Sequence, residues 1–163
     1  MSFTELSMTD LQHQNLKLVQ PKVSVVVAAY NVESYITNCL ESLKNQTLQS
    51  IEVLIVNDGS TDRTEEICRQ FVEVDSRFQL INQDSLGLGE ARNRGIIEAS
   101  GSYIAFVDGD DFVEPSMYKK LWQRAQQEQA DLVLCGYKKV WPESIRKKYC
   151  SREKKYTTHR ETK

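Results

Sequence analysis

At 163 residues and 18.8 kDa, with 40% hydrophobic and 27% charged residues, the chain has the size and make-up of one globular domain. Its net charge of −2 conceals an imbalance: residues 138–163 carry ten Lys/Arg against three Asp/Glu, while the first 137 residues hold eleven basic and twenty acidic residues. An acidic body excludes nucleic acid as the main partner, since phosphate backbones need a basic face, and no apolar run is long enough to span a bilayer.

The chain opens on a polar arm, residues 1–20, without the apolar stretch of a signal peptide. Cys39, Cys68, Cys135 and Cys150 form no Cys-x-x-Cys pair and have no His at zinc spacing, so all four read as buried thiols of a reducing compartment. The expected location is the cytoplasm. The basic tail, 138–163, reads first as a solvated segment; its alternative is peripheral contact with the anionic inner face of a membrane.

Val23-Ser24-Val25-Val26-Val27-Ala28-Ala29 is a β-branched run that predicts a buried strand ending at Tyr30-Asn31. Val32, Tyr35, Ile36, Cys39, Leu40 and Leu43 then recur at the spacing of an amphipathic helix. A second strand, Ile51 to Val56, closes at Asn57-Asp58-Gly59-Ser60. Asp62 with Glu65 has the spacing of a capping box, opening a helix whose apolar face is Ile67, Cys68 and Phe71. Phe78 to Ile81 is a short strand, and residues 88–100 a helix with Gly101 expected just past its C-terminus. Tyr103 to Val107 is a fully apolar run, which predicts a strand covered on both faces. A helix from about Ser116 to Gln127 turns Met117, Leu121, Trp122 and Ala125 inward, and Leu132 to Cys135 predicts a closing strand.

Four strand–helix repeats imply an α/β sandwich: a Rossmann-like, mostly parallel central sheet flanked by helices. Right-handed crossovers place all strand carboxyl ends on one edge, where open α/β sheets bind ligands. Tyr30-Asn31, Asn57-Asp58-Gly59 and Asp108-Gly109-Asp110-Asp111 therefore meet on one rim. Each is explicable alone as an edge aromatic, a turn dipeptide or a solvated acidic turn, but their convergence favours a ligand site. Crowded carboxylates suit a hard cation such as Mg²⁺ or Mn²⁺, which can bridge phosphates. A ring can stack on a base, and an isolated carboxylate can bracket a ribose or accept from a base N–H. The combination describes a nucleoside diphosphate, with its base towards Tyr30 and Asp58 and its phosphates at Asp108 and Asp110. Arg92 or Arg94 could reach a phosphate; an exposed helix arginine is the plain alternative for each.

The run Val23–Asn31, the turn Val56-Asn57-Asp58-Gly59-Ser60-Thr61-Asp62, Ala91-Arg92-Asn93-Arg94-Gly95 and Asp108-Gly109-Asp110-Asp111 together resemble the family 2 glycosyltransferases, in the family's order over residues 21–137. The resemblance implies a GT-A fold and a nucleotide-sugar donor, usually a UDP-sugar, with Mg²⁺ or Mn²⁺. It implies donor contacts from Ala28, Tyr30, Asp58, Arg92, Asp108 and Gly109, with Tyr30 beside the base and Asp58 on the uracil or ribose. It also implies Asp108 and Asp110 as metal ligands, Asp110 the main one. Ala29 departs from the proline many members carry there. The implied reaction is an inverting transfer of a sugar to a glycan or other hydroxyl acceptor, in polysaccharide or glycoconjugate synthesis. The family's catalytic base lies well downstream, whereas 52 residues follow Asp111. A truncated, non-catalytic nucleotide-sugar-binding domain is therefore the alternative, with residues 138–163 starting an acceptor region. An Asp-x-Asp phosphatase is a remote alternative, disfavoured by Phe112 and by the acidic strand standing fourth.

Overall fold

The computed structural model describes residues 20–138; most of the polar arm, the basic segment from residue 139 onward and Cys150 lie outside the described residues. Four strands and four helices alternate: β1 (Val23–Ala29), α1 (Ile36–Lys44), β2 (Ile51–Asp58), α2 (Thr64–Val74), β3 (Phe78–Gln83), α3 (Leu88–Glu98), β4 (Tyr103–Asp108) and α4 (Met117–Glu128). The strands form one parallel sheet in the order β3-β2-β1-β4. β1 and β2, in the centre, are buried along their whole lengths, which is why they read as mostly apolar runs, broken near their starts by Ser24 and Glu52.

Strand alternation divides the sheet's two faces. Val23, Val25, Val27, Val53, Ile55 and Val107 pack with α1, α2 and α4, through Ile36, Leu40, Leu43, Cys68, Phe71 and Tyr118. Val26, Ala28, Leu54 and Val56 face the other way and pack on α3 through Ala91. The crossover from β3 to β4 runs back across the sheet, so a right-handed connection puts α3 on this second face, alone among the described elements. One helix cannot cover four strands. It contacts β1 and β2, leaving Ile104 41% and Phe106 46% exposed on β4. The expectation that this strand is covered on both faces is therefore corrected: β4 is the sheet's edge among the described residues, and only Tyr103, Ala105 and Val107 turn into the packed side.

Other local expectations also change. Asp62 does cap the entry of α2, its Oδ1 accepting from the Thr64 N–H at 2.9 Å, but Glu65 turns to Arg69 and Asn82 instead of completing the box. Tyr35 precedes α1 and is exposed, so the apolar stripe begins at Ile36. Gly101 does not terminate α3, because the chain is already extended at Ala99. It is small for another reason: a Cβ there would lie 2.6 Å from the Ser24 amide nitrogen. This close approach serves a buried network at the amino ends of the strands. Glu52 accepts from the Ser24 hydroxyl, from the Ser100 N–H at 2.7 Å and from the Ser100 hydroxyl at 2.9 Å, and the Gly101 N–H donates to Ser24 Oγ at 2.7 Å. Leu132–Cys135 forms no strand, and Leu132, Leu134 and Cys135 are exposed. Cys39 and Cys68 are buried as expected. No described helix is long and apolar enough to cross a membrane.

The seating of α3 decides where its side chains reach. Gly95 lets the helix lie directly on β1, since a Cβ there would come within 2.2 Å of Val26 Cγ1. Gly95→Ala is expected to lower stability by about 1–3 kcal/mol through overpacking. Gly89→Ala, on the same helix with open space around it, is expected to raise stability by about 0.5–1 kcal/mol. Urea unfolding of the two variants checks the contrast; equal effects would contradict this packing.

Candidate functional site

The sheet order reverses beside β1: β2 and β3 extend to one side and β4 lies on the other. Ligand crevices of open α/β sheets form at the carboxyl ends of strands at such a reversal. Register places the predicted residues there, with Ala28 opposite both Val56 and Asp108, and Ala29 opposite Asn57. Ala28, Asp58 and Asp108 share the alternation of Val26 and Leu54, so all three belong to the face that carries α3.

The rim on the β1–β2 side is stitched by side chains. Asn31, held at φ 51° just past β1, accepts from the Thr61 N–H at 2.8 Å, and its own N–H donates to Ser60 Oγ at 3.1 Å. The Val32 N–H donates to Thr64 Oγ1 at 2.9 Å and the Glu33 N–H to Asp62 Oδ2 at 3.1 Å, while Glu33 accepts from the Arg63 N–H at 2.9 Å. These bonds satisfy the amides leaving β1 and entering α2, which fixes the two loops as one ledge. Tyr30 stands at its end, 52% exposed. Sequence reasoning missed Glu33, Ser60, Thr61 and Thr64 as positioning residues. Their signal was the run of short polar side chains after each strand, a type that bonds nearby backbone.

Asp58 is only 4% exposed. Its Oδ1 accepts from Gln83 Nε2 at 2.7 Å and the Leu86 N–H at 2.9 Å, and its Oδ2 from the Gly87 N–H at 2.8 Å. Burial pushes its pKa up, but the bonds from Leu86, Gln83 and Gly87 together outweigh that and hold it below the usual carboxylate value. The carboxylate thus orders the turn that launches α3, whose first residue follows Gly87 at φ 93°.

The acidic loop is anchored on both sides. The Gly109 N–H donates to the Ala28 carbonyl at 2.9 Å, extending the β1–β4 pairing one residue past the strand. Gly109 is itself buried, with Val32 and Ala28 close around the site of a missing Cβ. Downstream, the Val113 N–H donates to Ser42 Oγ at 3.1 Å, and Gln46 Nε2 donates to the Glu114 carbonyl at 2.9 Å, tying the segment to the end of α1. The loop between these anchors carries Asp110 and Asp111, both exposed. Burial, and then the charges of Asp110 and Asp108, raise the Asp111 pKa. Beneath it, Cys39 Sγ lies 3.8 Å from the Asp108 carbonyl, and burial followed by the Asp111 charge pushes that thiol up to about 12.

Arg92 and Asp108 are brought together: Arg92 Nη2 donates to Asp108 Oδ1 at 2.6 Å across the crevice wall. Arg94 is not part of the site, because it pairs with Glu98 at 2.8 Å along α3. An open cleft of about 840 Å³ lies in front of the loop, lined by Arg92, Phe106, Asp108, Asp110, Asp111 and Phe112. Among the described residues, no three His, Cys, Asp or Glu side chains converge closely enough to hold a cation unaided. Asp110 accepts no hydrogen bond from any described residue, and Asp108 keeps its Oδ2 free of described partners. One or two such carboxylates fit Mg²⁺ or Mn²⁺ when phosphate and water oxygens complete an octahedron.

Residues 24–163 match the sequence model of Glycosyl transferase family 2. The chain belongs to this family. The putative glycosyltransferase EpsH of Bacillus subtilis (strain 168) is 49% identical over 117 residues, covering 72% of this chain and 34% of EpsH. The crystal structure of S. aureus TarS in complex with UDP superposes with a TM-score of 0.64 at 32% identity, covering 68% of this chain and 33% of that one. The mannosyltransferase PcManGT of Pyrobaculum calidifontis, in complex with GDP-Man and Mn²⁺, gives a TM-score of 0.53 at 26% identity, covering 58% of this chain and 29% of its own. The fold is that of GT-A glycosyltransferases, and the chain spans about a third of the length of these relatives.

Asp58→Asn is expected to lower stability by about 1–3 kcal/mol at pH 7, because an amide nitrogen replaces one acceptor oxygen facing three part-buried donors. The native pKa of Asp58 is depressed, so its contribution is complete above the unfolded value of about 3.9 and disappears as pH falls through the native value. The gap between wild type and Asp58→Asn in urea should hold from neutral pH to about pH 5, begin to narrow below about pH 4 and close as pH falls through the native value. A gap unchanged down to pH 3 would contradict the bonding described.

Proposed function

We propose that this chain carries the donor site of a metal-dependent, inverting glycosyltransferase that uses a UDP-sugar. The observation that carries the reading is the anchored acidic loop at the sheet reversal, with one carboxylate paired to Arg92 and another, Asp110, without a described partner. TarS is described with UDP and PcManGT with Mn²⁺, and those ligands match the chemistry of this rim.

In this reading Tyr30 packs beside the base, with Ala28 in the floor. Asp58 offers the uracil or ribose the acceptor capacity that its three internal bonds leave on Oδ2. Asp108 and Gly109 face the ribose and diphosphate, and Asp110 with Asp108 would hold Mg²⁺ or Mn²⁺. The cation, when bound, supplies charge stabilisation for the departing diphosphate. Arg92 adds a second positive charge on the same leaving group. The rigid ledge on one side and the anchored loop on the other fix the donor so that its anomeric carbon faces the open cleft. An acceptor hydroxyl entering there displaces the diphosphate from the opposite side, which inverts the centre.

No described residue is assigned as the base for the acceptor hydroxyl. A missing general base typically costs about 10²–10⁴-fold in rate. Donor binding is therefore the property proposed for these elements, and transfer depends on a base for the acceptor hydroxyl. The reading of residues 138–163 as the beginning of an acceptor region belongs to the same proposal.

Isothermal titration of UDP in the presence of Mn²⁺ is expected to give saturable heat for the wild type and at least about tenfold weaker binding for Asp110→Ala, the equivalent of about 1.4 kcal/mol. No heat from the wild type, or equal affinity in the variant, would reject the donor site. A radiolabelled UDP-sugar transfer assay separates an enzyme from a binding domain: product above background with a glycan acceptor favours the former.

A further inference from the structure

Arg92 is held in an incomplete arrangement. Nη2 makes one short bond to Asp108, yet Nε is buried and has no hydrogen-bond partner. A guanidinium grips an oxyanion best side-on, with Nε and an Nη donating in parallel, and the present pairing uses only half of that fork. An orphaned buried donor costs free energy, so the arrangement favours any ligand that offers both nitrogens an oxygen. The loop it partly neutralises brings three carboxylates, Asp108, Asp110 and Asp111, within four residues. Arg92 is the one cationic side chain paired with any of the three among the described residues.

A divalent ion and a guanidinium cannot share Asp108 comfortably, since both are positive and the carboxylate's Oδ1 is already taken. A metal arriving alone must therefore either settle on Asp110 and Asp108 Oδ2 against the charge of the guanidinium held on Oδ1, or displace Arg92 and leave it beside a dication with nothing to bind. A metal arriving with a diphosphate meets a different balance, because phosphate oxygens offer the guanidinium a bidentate replacement.

We propose that Arg92 is a place-holding cation. It occupies Asp108 in the nucleotide-free chain and yields it to the divalent ion only when a diphosphate takes up the released guanidinium. Metal and nucleotide then bind cooperatively, each favouring the other by the same factor. Arg92 acts here as a positioning residue that keeps the acidic loop compact and suppresses metal binding without nucleotide. The inference rests on the donor-site reading above and adds an order to it.

The test uses Mn²⁺ alone, followed by Mn²⁺ with UDP, monitored by the EPR signal of free Mn²⁺. Arg92→Gln is expected to bind Mn²⁺ alone at least about fivefold more tightly than wild type, and to shrink the coupling between Mn²⁺ and UDP towards the lower end of the usual range of about 5–150-fold. Arg92→Lys, which keeps the charge, should retain weak binding of Mn²⁺ alone. Unchanged or weaker affinity for Mn²⁺ alone in Arg92→Gln overturns the proposal, provided the wild type binds Mn²⁺ with UDP; if it does not, the donor-site reading itself fails. A measurement on the unaltered chain guards against a variant that does not fold. The Arg92 Nε–H resonance should remain in place with Mg²⁺ alone at millimolar concentration and shift when UDP is added. A shift with Mg²⁺ alone, or none with both, also overturns it.

Discussion

Three carboxylates, one ending β4 and two in the turn after it, are the constraint around which the rest of the site is arranged. Like charges at that spacing push a loop outward into water unless the backbone on both sides is fixed. Here it is fixed by Gly109 bonded to Ala28 on one side and by Ser42 and Gln46 holding Val113 and Glu114 on the other. The repulsion is therefore retained in the folded chain, partly relieved by Arg92 and otherwise left for a ligand to neutralise. The fold keeps these carboxylates near one another by denying their backbone the freedom to separate.

The sheet supplies the geometry for this. Because β3 connects back across to β4, α3 sits on one face, alone among the described elements, and Gly95 allows it to press onto β1 closely enough for Arg92 to reach the end of β4. Asp58 fixes the start of the same helix through the Leu86 and Gly87 amides. One buried carboxylate thus organises the element that carries the counter-ion of another. On the same face no described element covers β4, where Ile104 and Phe106 remain half exposed and Phe106 lines the cleft.

The parts of the fold legible in the sequence were those set by burial alone. β1 and β2 are central, so Val23–Ala29 and Ile51–Val56 read directly as strands, and the acidic cluster after β4 marked the rim. Membership of family 2 was legible from the joint order of four short motifs, none of which suffices alone. What was not legible depended on contacts between distant segments. The apolar run Tyr103–Val107 looks the same whether an edge strand is covered or open, because hydrophobicity does not record which neighbours exist. Gly101 carries the same signal whether it ends a helix or makes room for Ser24. Leu132–Cys135 has strand composition, yet among the described residues it finds no strand to pair with. Likewise, the role of Asp58 as a backbone clamp and the pairing of Arg92 with Asp108 join residues 28 and 16 positions apart, beyond the reach of any local pattern.

A crystal soaked with UDP and Mn²⁺, measured at a wavelength where manganese scatters anomalously, tests the central claim most directly. The account predicts an anomalous peak within bonding distance of the Asp110 carboxylate and of diphosphate oxygens, with the uracil near Tyr30 and Arg92 turned from Asp108 onto the phosphate. A fully occupied UDP bound elsewhere, or an acidic loop without a manganese peak at saturating ligand, would contradict it.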